Sequence, residues 1–509
     1  MTDNPVGTCT PPLHGKDKDG MNNNEEPSTT DKTASEHTAS DLRVEVEWGP
    51  NDPQNPMNLS LARKWTATWI TSIGALCVAV SSSIYSTAFS DMETEFGVNQ
   101  TTAIAGMTVF NFGMGFGPMI YSPLSEFYGR RIIYLFSFFF YLAFQFPIAF
   151  APNIVAVLVN RLLCGLSGSA FLSVAGGTVS DIFPKSQLGR PMMVFTAAPF
   201  LGPCLGPLIG DFIAHGRSWR WVFYVMIMWT FIMLMLICLF VPETYSPVLL
   251  RWRAQKLRKE TGNQGYYAEI EVNKRSRLQT IFFSIKRPFQ LLFLEIMVFC
   301  LCLYTAVLLG VMYLFFEAFP LVFKNNHNFQ DQYIGLTFLG LLVGILGGVI
   351  TEPYWRSLYT KLALKKGIAE PEFRLPQAIF GSLFVPVGMF WFSFTTYSSV
   401  PWIVPILAGI PFGFGMILVF SGVFTYLVEA YQPFSASALA ANCFIRNTFA
   451  AAFPLFAVQM FNGMGYVWAP ALLSFIILFT APSTFLFYKY GKHLRERSKF
   501  AWTRPELKS

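Results

Sequence analysis

From Leu375 to Val428 the chain runs for 54 residues without an Asp, Glu, Lys or Arg. A soluble element of that length would have to present a polar side to water, and this one has none to present. A membrane-crossing helix needs about 20 mostly apolar residues, so the run holds two helices with a turn near Tyr397–Pro401. The same reading applies along the chain. Charge-free stretches fall at 65–90, inside 98–126, and at 132–160, 162–180, 191–210, 221–242, 296–316 and 332–351. The region Ala430–Tyr488 carries one charge, Arg446, and a Gly463-Met464-Gly465 break, and it holds two more helices. The expected fold is therefore all-α and integral to the membrane, with twelve transmembrane helices in two six-helix pseudo-repeats. Composition agrees: 53% of the 509 residues are hydrophobic and 13% are charged, against about 25% charged in soluble domains.

Orientation follows from Lys and Arg, which accumulate in cytoplasmic loops. Residues 243–287 carry 10 Lys/Arg against 4 Asp/Glu, residues 356–374 add five more basic residues, and the chain from Lys489 onward carries seven. The first outer loop is acidic, with Asp91, Glu93 and Glu95. Both termini are expected in the cytoplasm of a multi-pass plasma-membrane protein. Residues 1–50 carry a net −6 and the rest a net +13, the basic excess concentrated in short segments between apolar runs, which argues against a nucleic-acid surface. No apolar signal-peptide segment opens the chain. Residues 1–60 are read as a disordered cytoplasmic tail, 61–242 as the first bundle, 243–288 as a basic cytoplasmic linker, 289–490 as the second bundle and 491–509 as a cytoplasmic tail. Seven of the eight Cys lie in apolar runs without a C-x-x-C, so they are small apolar side chains rather than redox or metal groups. Asn99-Gln100-Thr101 is a sequon at the start of helix 2, where a helix-start Asn is an equal reading.

Three segments carry chemistry. At the inner end of helix 2 stands Ser122-Pro-Leu-Ser-Glu126-Phe-Tyr-Gly129-Arg130-Arg131, and at the inner end of helix 8 stands Glu352-Pro-Tyr-Trp-Arg356. An acid followed four residues later by Arg thus recurs at the matching point of each half. Helix 4 contains Arg161-Leu-Leu-Cys-Gly165-Leu-Ser-Gly168-Ser-Ala170, placing a cation at a depth where it needs a partner. Helix 5 reads Gly202-Pro203-Cys-Leu-Gly206-Pro207-Leu-Ile-Gly210, a glycine face at i, i+4, i+8 bent by prolines.

The helix 2 segment resembles the major facilitator superfamily motif written G-x-L-A-D-R-x-G-R-R, with Ser122 for the first Gly and Glu126 for the Asp. The form P-L-S-E-F-Y-G-R-R is similar to fungal twelve-span drug:proton antiporters, and the resemblance covers residues 60–495. It implies alternating access between two bundles. It marks Glu126, Gly129, Arg130, Arg131 and Asp181, with Glu352 and Arg356, as a conformational latch. An Arg–carboxylate pair is expected to tie Asp181 into it, and Glu126 is expected near the start of helix 11 around Ser435–Ser437. The helix 4 segment looks like the family's R-x-x-x-G-x-x-G-x-A, which implies a proton-coupling role for Arg161. Gly202, Pro203, Gly206, Pro207 and Gly210 look like the antiporter motif, which implies export.

The other ionisable groups within the apolar runs or at their ends are Asp211, Glu295, Glu317, Glu352, Glu429 and Arg446. Glu317, Glu295, Arg446 and Asn442 join Arg161 as expected coupling or cavity residues, Glu317 first among the carboxylates. Tyr304, Tyr313, Phe315, Phe316, Phe390, Trp391 and Phe392 are available to line an apolar pocket for bulky amphipathic molecules. No P-loop, no G-x-G-x-x-G after a strand and no H-E-x-x-H is present, so neither an enzyme nor a nucleotide-driven pump is expected. The reading is a monomeric, cofactor-free exporter of drug-like or toxin-like organic molecules, driven by the proton gradient. The alternatives are a nutrient or polyamine transporter of the same fold and a non-transporting membrane sensor.

Overall fold

The computed structural model describes residues 44–49, 52–184, 187, 189–272, 277–367, 370–498 and 500–501, the side chains of 272, 277–284 and 433 excepted. The stretches 1–43 and 502–509, read from sequence as tail, lie outside the described residues, as does Cys9.

Eleven continuous helices among the described residues are long and apolar enough to cross a membrane. Helices 1 to 6 are Leu61–Phe96, Gln100–Tyr128, Arg130–Ala149, Ile154–Ile182, Gly189–Ala214 and Arg220–Phe240; helices 7 to 10 are Ile296–His327, Asp331–Lys366, Pro371–Phe394 and Ile403–Ala430. The eleventh, Ser435–Arg497, is two helices joined at Gly465, whose φ of +82° and ψ of 164° break the helical path. A left-handed φ of this kind is open to glycine at little cost. Dividing there gives helix 11 (435–464) and helix 12 (466–497), twelve in all. The charge-free run 132–160 spans two helices. Helix 3 ends at Ala149 and helix 4 starts at Ile154, where the Asn153 side chain accepts a hydrogen bond from the Ala156 N–H at 2.9 Å. Arg161 therefore stands two turns into helix 4.

The two halves pack alike. Helix 1 lies on 5, 2 on 4, and 3 on 4 and 6; correspondingly helix 7 lies on 11, 8 on 10, and 9 on 10 and 12. Between the halves, helix 2 packs on helix 11 and helix 5 on helix 8. Helices 1 and 7 are the most enclosed, with 83% of their apolar window buried, whereas helix 6 has 33% buried and turns its large apolar side chains outward.

Residues 44–49 and Asp52, placed in a disordered tail, are held against the linker. Val44–Glu45 pairs in parallel with Tyr266–Tyr267, the Trp48 indole donates to Ser246 at 2.5 Å, and Asp52 is ion-paired with Arg253. The Gln54 N–H and then the Arg253 guanidinium hold the Asp52 carboxyl below its ordinary pKa. The linker itself contains helices Ser246–Thr261 and Arg277–Leu294, the second of which packs against both helix 2 and helix 11.

Candidate functional site

Near the centre of the first half, Arg161 is 1% exposed. Its Nε donates to the Gly106 carbonyl at 3.2 Å, Nη1 to Ser81 O at 2.8 Å and Nη2 to Ser82 O at 3.3 Å. The guanidinium lies over the rings of Tyr85 (4.4 Å) and Phe110 (4.2 Å). Its partners are thus helix carbonyls and aromatic faces of helices 1 and 2. Gly165 and Gly168 make that approach possible, because a Cβ on Gly165 would stand 2.0 Å from Phe110 O.

From Ser82 the network crosses to the other half. Ser82 Oγ donates to Asn111 Oδ1 at 2.8 Å, and the Tyr313 hydroxyl on helix 7 stands 2.7 Å from Ser82 Oγ. With the serine proton committed to Asn111, Tyr313 is the donor. Tyr313 lies within electrostatic reach of both Arg161 and Arg446. One turn further out on helix 7, Glu317 is 4% exposed; its Oε2 accepts from Gln100 Nε2 on helix 2 at 3.3 Å, and its Oε1 is buried with no hydrogen-bond partner among the described residues. A second carboxylate also joins the halves at this end: Asp211 Oδ2 on helix 5 accepts the Gly335 N–H of helix 8 at 2.7 Å.

Arg446, on helix 11, has its guanidinium over three rings, Phe200 (5.7 Å), Phe420 (5.7 Å) and Phe424 (5.3 Å). Asn442, 1% exposed, donates to Thr305 Oγ1 on helix 7 at 2.8 Å, and its Oδ1 has no partner among the described residues. Glu295 stands apart from this group. It is the N-cap of helix 7 at the inner face, accepting from Tyr431 OH at 3.2 Å and Ser498 Oγ at 2.6 Å. A carboxylate so placed fastens helix 7 to the 10–11 turn and the end of helix 12, and the expectation that it faces the cavity is corrected. Trp391, one of the aromatics available for a pocket, is 41% exposed, as a lipid-facing side chain would be.

The inner-face cluster ties helices within the first half. Arg130 Nε is 3.1 Å from Asp181 Oδ2, Nη1 donates to Ser125 Oγ at 2.5 Å, and the guanidinium lies 4.6 Å from the Tyr245 ring centroid. Burial pushes the Tyr245 hydroxyl up to about 12. Glu243, which the motif does not contain, accepts the N–H groups of Arg130 (2.9 Å) and Arg131 (3.0 Å) and so caps helix 3. Gly129 is required twice: its φ is +98°, and a Cβ would stand 2.3 Å from Glu243 Oε2. Glu126 is exposed and makes no hydrogen bond or short ion pair among the described residues, with the Arg130 charge within electrostatic reach of it.

The second half repeats this cluster at a different residue. Arg374, opening helix 9, is ion-paired with Glu429 at the end of helix 10 at 2.7 Å and lies 3.6 Å from the Tyr359 ring. By position in the fold Arg374 and Glu429 are the counterparts of Arg130 and Asp181, in place of the expected Arg356. Arg356 lies inside the cytoplasmic extension of helix 8, against Gly189 at the start of helix 5, and Glu352 stands a turn before it. Glu372 and Arg495 join the start of helix 9 to the end of helix 12 through two contacts of 2.7 and 2.8 Å, as Glu243 joins helix 6 to helix 3.

The glycines of helix 5 face helix 1. Added Cβ atoms would meet Ala79 Cβ at 2.3 Å from Gly202, Ser83 Oγ at 1.9 Å from Gly206 and Thr87 Cγ2 at 2.7 Å from Gly210. Pro203 and Pro207 are buried beside them, and the Pro207 carbonyl approaches Gly335 of helix 8.

Residues 71–454 match the Major Facilitator Superfamily. The chain belongs to that family. It is 49% identical over 460 residues to "Efflux pump atB" of Aspergillus terreus, covering 89% of each chain. It is 41% identical over 460 residues to "Major facilitator superfamily multidrug transporter mdrA" of Aspergillus fumigatus, covering 90% of this chain and 76% of that one. It is 39% identical over 455 residues to "Probable drug/proton antiporter YHK8" of Saccharomyces cerevisiae, covering 89% and 88%. Among solved structures, the proton:xylose symporter XylE superposes with a TM-score of 0.59 at 15% identity, over 84% of this chain and 96% of that one, a likeness of fold alone. The major facilitator fold, with its two six-helix bundles, is thus the fold of this chain.

Proposed function

We propose that the protein exports drug-like or toxin-like small organic molecules across the plasma membrane in exchange for protons, with both termini in the cytoplasm, as a monomer and without a cofactor. The relatives named as efflux pumps and as a drug/proton antiporter support the direction and the coupling. The observation that carries the mechanism is Glu317. It is the deeply buried carboxylate whose one oxygen reaches across to helix 2 while the other has no partner among the described residues. Glu372 by contrast is saturated by Arg495, and Glu295 by Tyr431 and Ser498.

A buried, poorly paired carboxylate binds a proton more readily than an exposed one. Protonation of Glu317 removes the charge that attracts the Gln100 amide, and protonation of Asp211 weakens its bond to the Gly335 N–H. Both bonds join the two halves at the outer end. A proton entering from outside therefore loosens the outer closure, and its release accompanies reclosure. The Glu317→Gln variant tests this in proteoliposomes. Loss of pH-gradient-driven efflux with retained substrate counterflow is expected; efflux driven normally by the gradient would overturn the assignment.

A further inference from the structure

We infer that the Arg446 guanidinium binds a carboxylate of the transported molecule, so that the preferred substrates are aromatic organic monoanions; this rests on the efflux reading above. A guanidinium buried in a membrane bundle is expected to find an acid or a set of carbonyls. Arg161 in the same protein has three carbonyls. Arg446, which is partly buried, has neither among the described residues. Its one hydrogen bond among them is a long contact of 3.9 Å from Nη2 to Cys443 Sγ, and its Nε is buried without a partner. The arginine–carboxylate ion pairs formed among the described residues use Arg130, Arg220, Arg253, Arg258, Arg374 and Arg495.

The surroundings fit the rest of such a ligand. Phe200 comes from the first half, and Phe420, Phe424 and Arg446 from the second, so the cage lies on the seam along which the bundles separate. The Phe200 and Phe420 ring centroids are 4.5 Å apart and those of Phe420 and Phe424 5.6 Å apart. Ring faces hold the cation in place but occupy none of its five N–H donors. A carboxylate takes two of those donors in a bidentate contact, while the rings present apolar surface to the aromatic body. A polyamine would meet repulsion here.

The test uses purified full-length protein in nanodiscs and matched probes: benzoate and 2-naphthoate, each with its primary amide. At least tenfold tighter binding of the acid than of its amide is expected for the wild type. Arg446→Gln should erase that preference, and Arg446→Lys should keep part of it. Equal binding of acid and amide by the wild type overturns the inference without recourse to any variant, as does a preference that survives in a folded Arg446→Gln. Efflux of a neutral aromatic drug driven by a pH gradient is measured in parallel. Such efflux without acid preference sinks this inference and leaves the efflux reading standing. Arg446-dependent acid preference with no proton-driven transport of either probe does the reverse.

Discussion

Tyr313 donates its hydroxyl to Ser82 across 2.7 Å, and so joins the first helix of one bundle to the first helix of the other. Helices 1 and 7 are equivalent in the two repeats, and both are the most enclosed of their half. A bond between them must break whenever the bundles part. A buried hydrogen bond contributes about 1 kcal/mol net, so Tyr313→Phe should shift the balance between closed and open forms by about fivefold. Labelling of a single cysteine introduced in the central pathway reads the shift. Unchanged labelling would show that the bond does not bias the cycle.

Arg161→Lys should abolish transport while the protein still reaches the membrane. One ammonium cannot serve carbonyls on Ser81, Ser82 and Gly106 together, and each buried acceptor left without a donor costs about 1–3 kcal/mol. Efflux measured beside surface expression and thermal unfolding checks this; full efflux from a normally expressed variant would remove Arg161 from the mechanism.

Gly206→Ala should be more damaging than Gly210→Ala. The added methyl at Gly206 meets the Ile84 backbone nitrogen at 2.7 Å as well as Ser83, whereas at Gly210 the nearest atoms belong to the side chains of Thr87 and Ile84, which can turn aside. Overpacking of this kind costs about 1–3 kcal/mol. Export and thermal stability should fall together for Gly206→Ala, and equal effects at the two sites would refute the ranking.

Glu243→Ala should lower stability by about 2 kcal/mol, since it uncaps helix 3 and leaves the Arg130–Asp181 cluster loosened, while Glu126→Ala should change stability little. In the second half, Arg374→Ala should cause a loss of the same size as Arg130→Ala. Thermal unfolding in detergent compares all four. A destabilised Glu126→Ala with an indifferent Glu243→Ala would reverse the assignment of the cap.

The spans were legible because lipid imposes a length on each helix, and a run without charge records that length directly. The pairing of Arg130 with Asp181 was within reach of the motif, since both mark the inner face. The contact of Gly129 with Glu243 was not, because 114 residues separate them and nothing local distinguishes Glu243 from any acid of a cytoplasmic loop. The repeat misled at Arg356. Its spacing from Glu352 imitates Glu126 and Arg130, but helix 8 continues through it, whereas helix 2 stops at Gly129. Arg446 was picked out by being the lone charge of its region; the ring cage around it depends on how helices 5 and 10 meet, which no single helix encodes.

Arg161, which is buried, and Arg446, which is partly so, have no carboxylate among their partners in the described residues, and this bears on the energy supply. A cycle that sends one organic monoanion outward and returns one proton moves two positive charges toward the cytoplasm. Each charge crossing 100 mV is worth about 2.3 kcal/mol, so an inside-negative potential of that size adds about 4.6 kcal/mol per cycle. That corresponds to about three decades of substrate gradient with no pH difference at all, and places such a transporter under the control of membrane voltage as much as of external acidity.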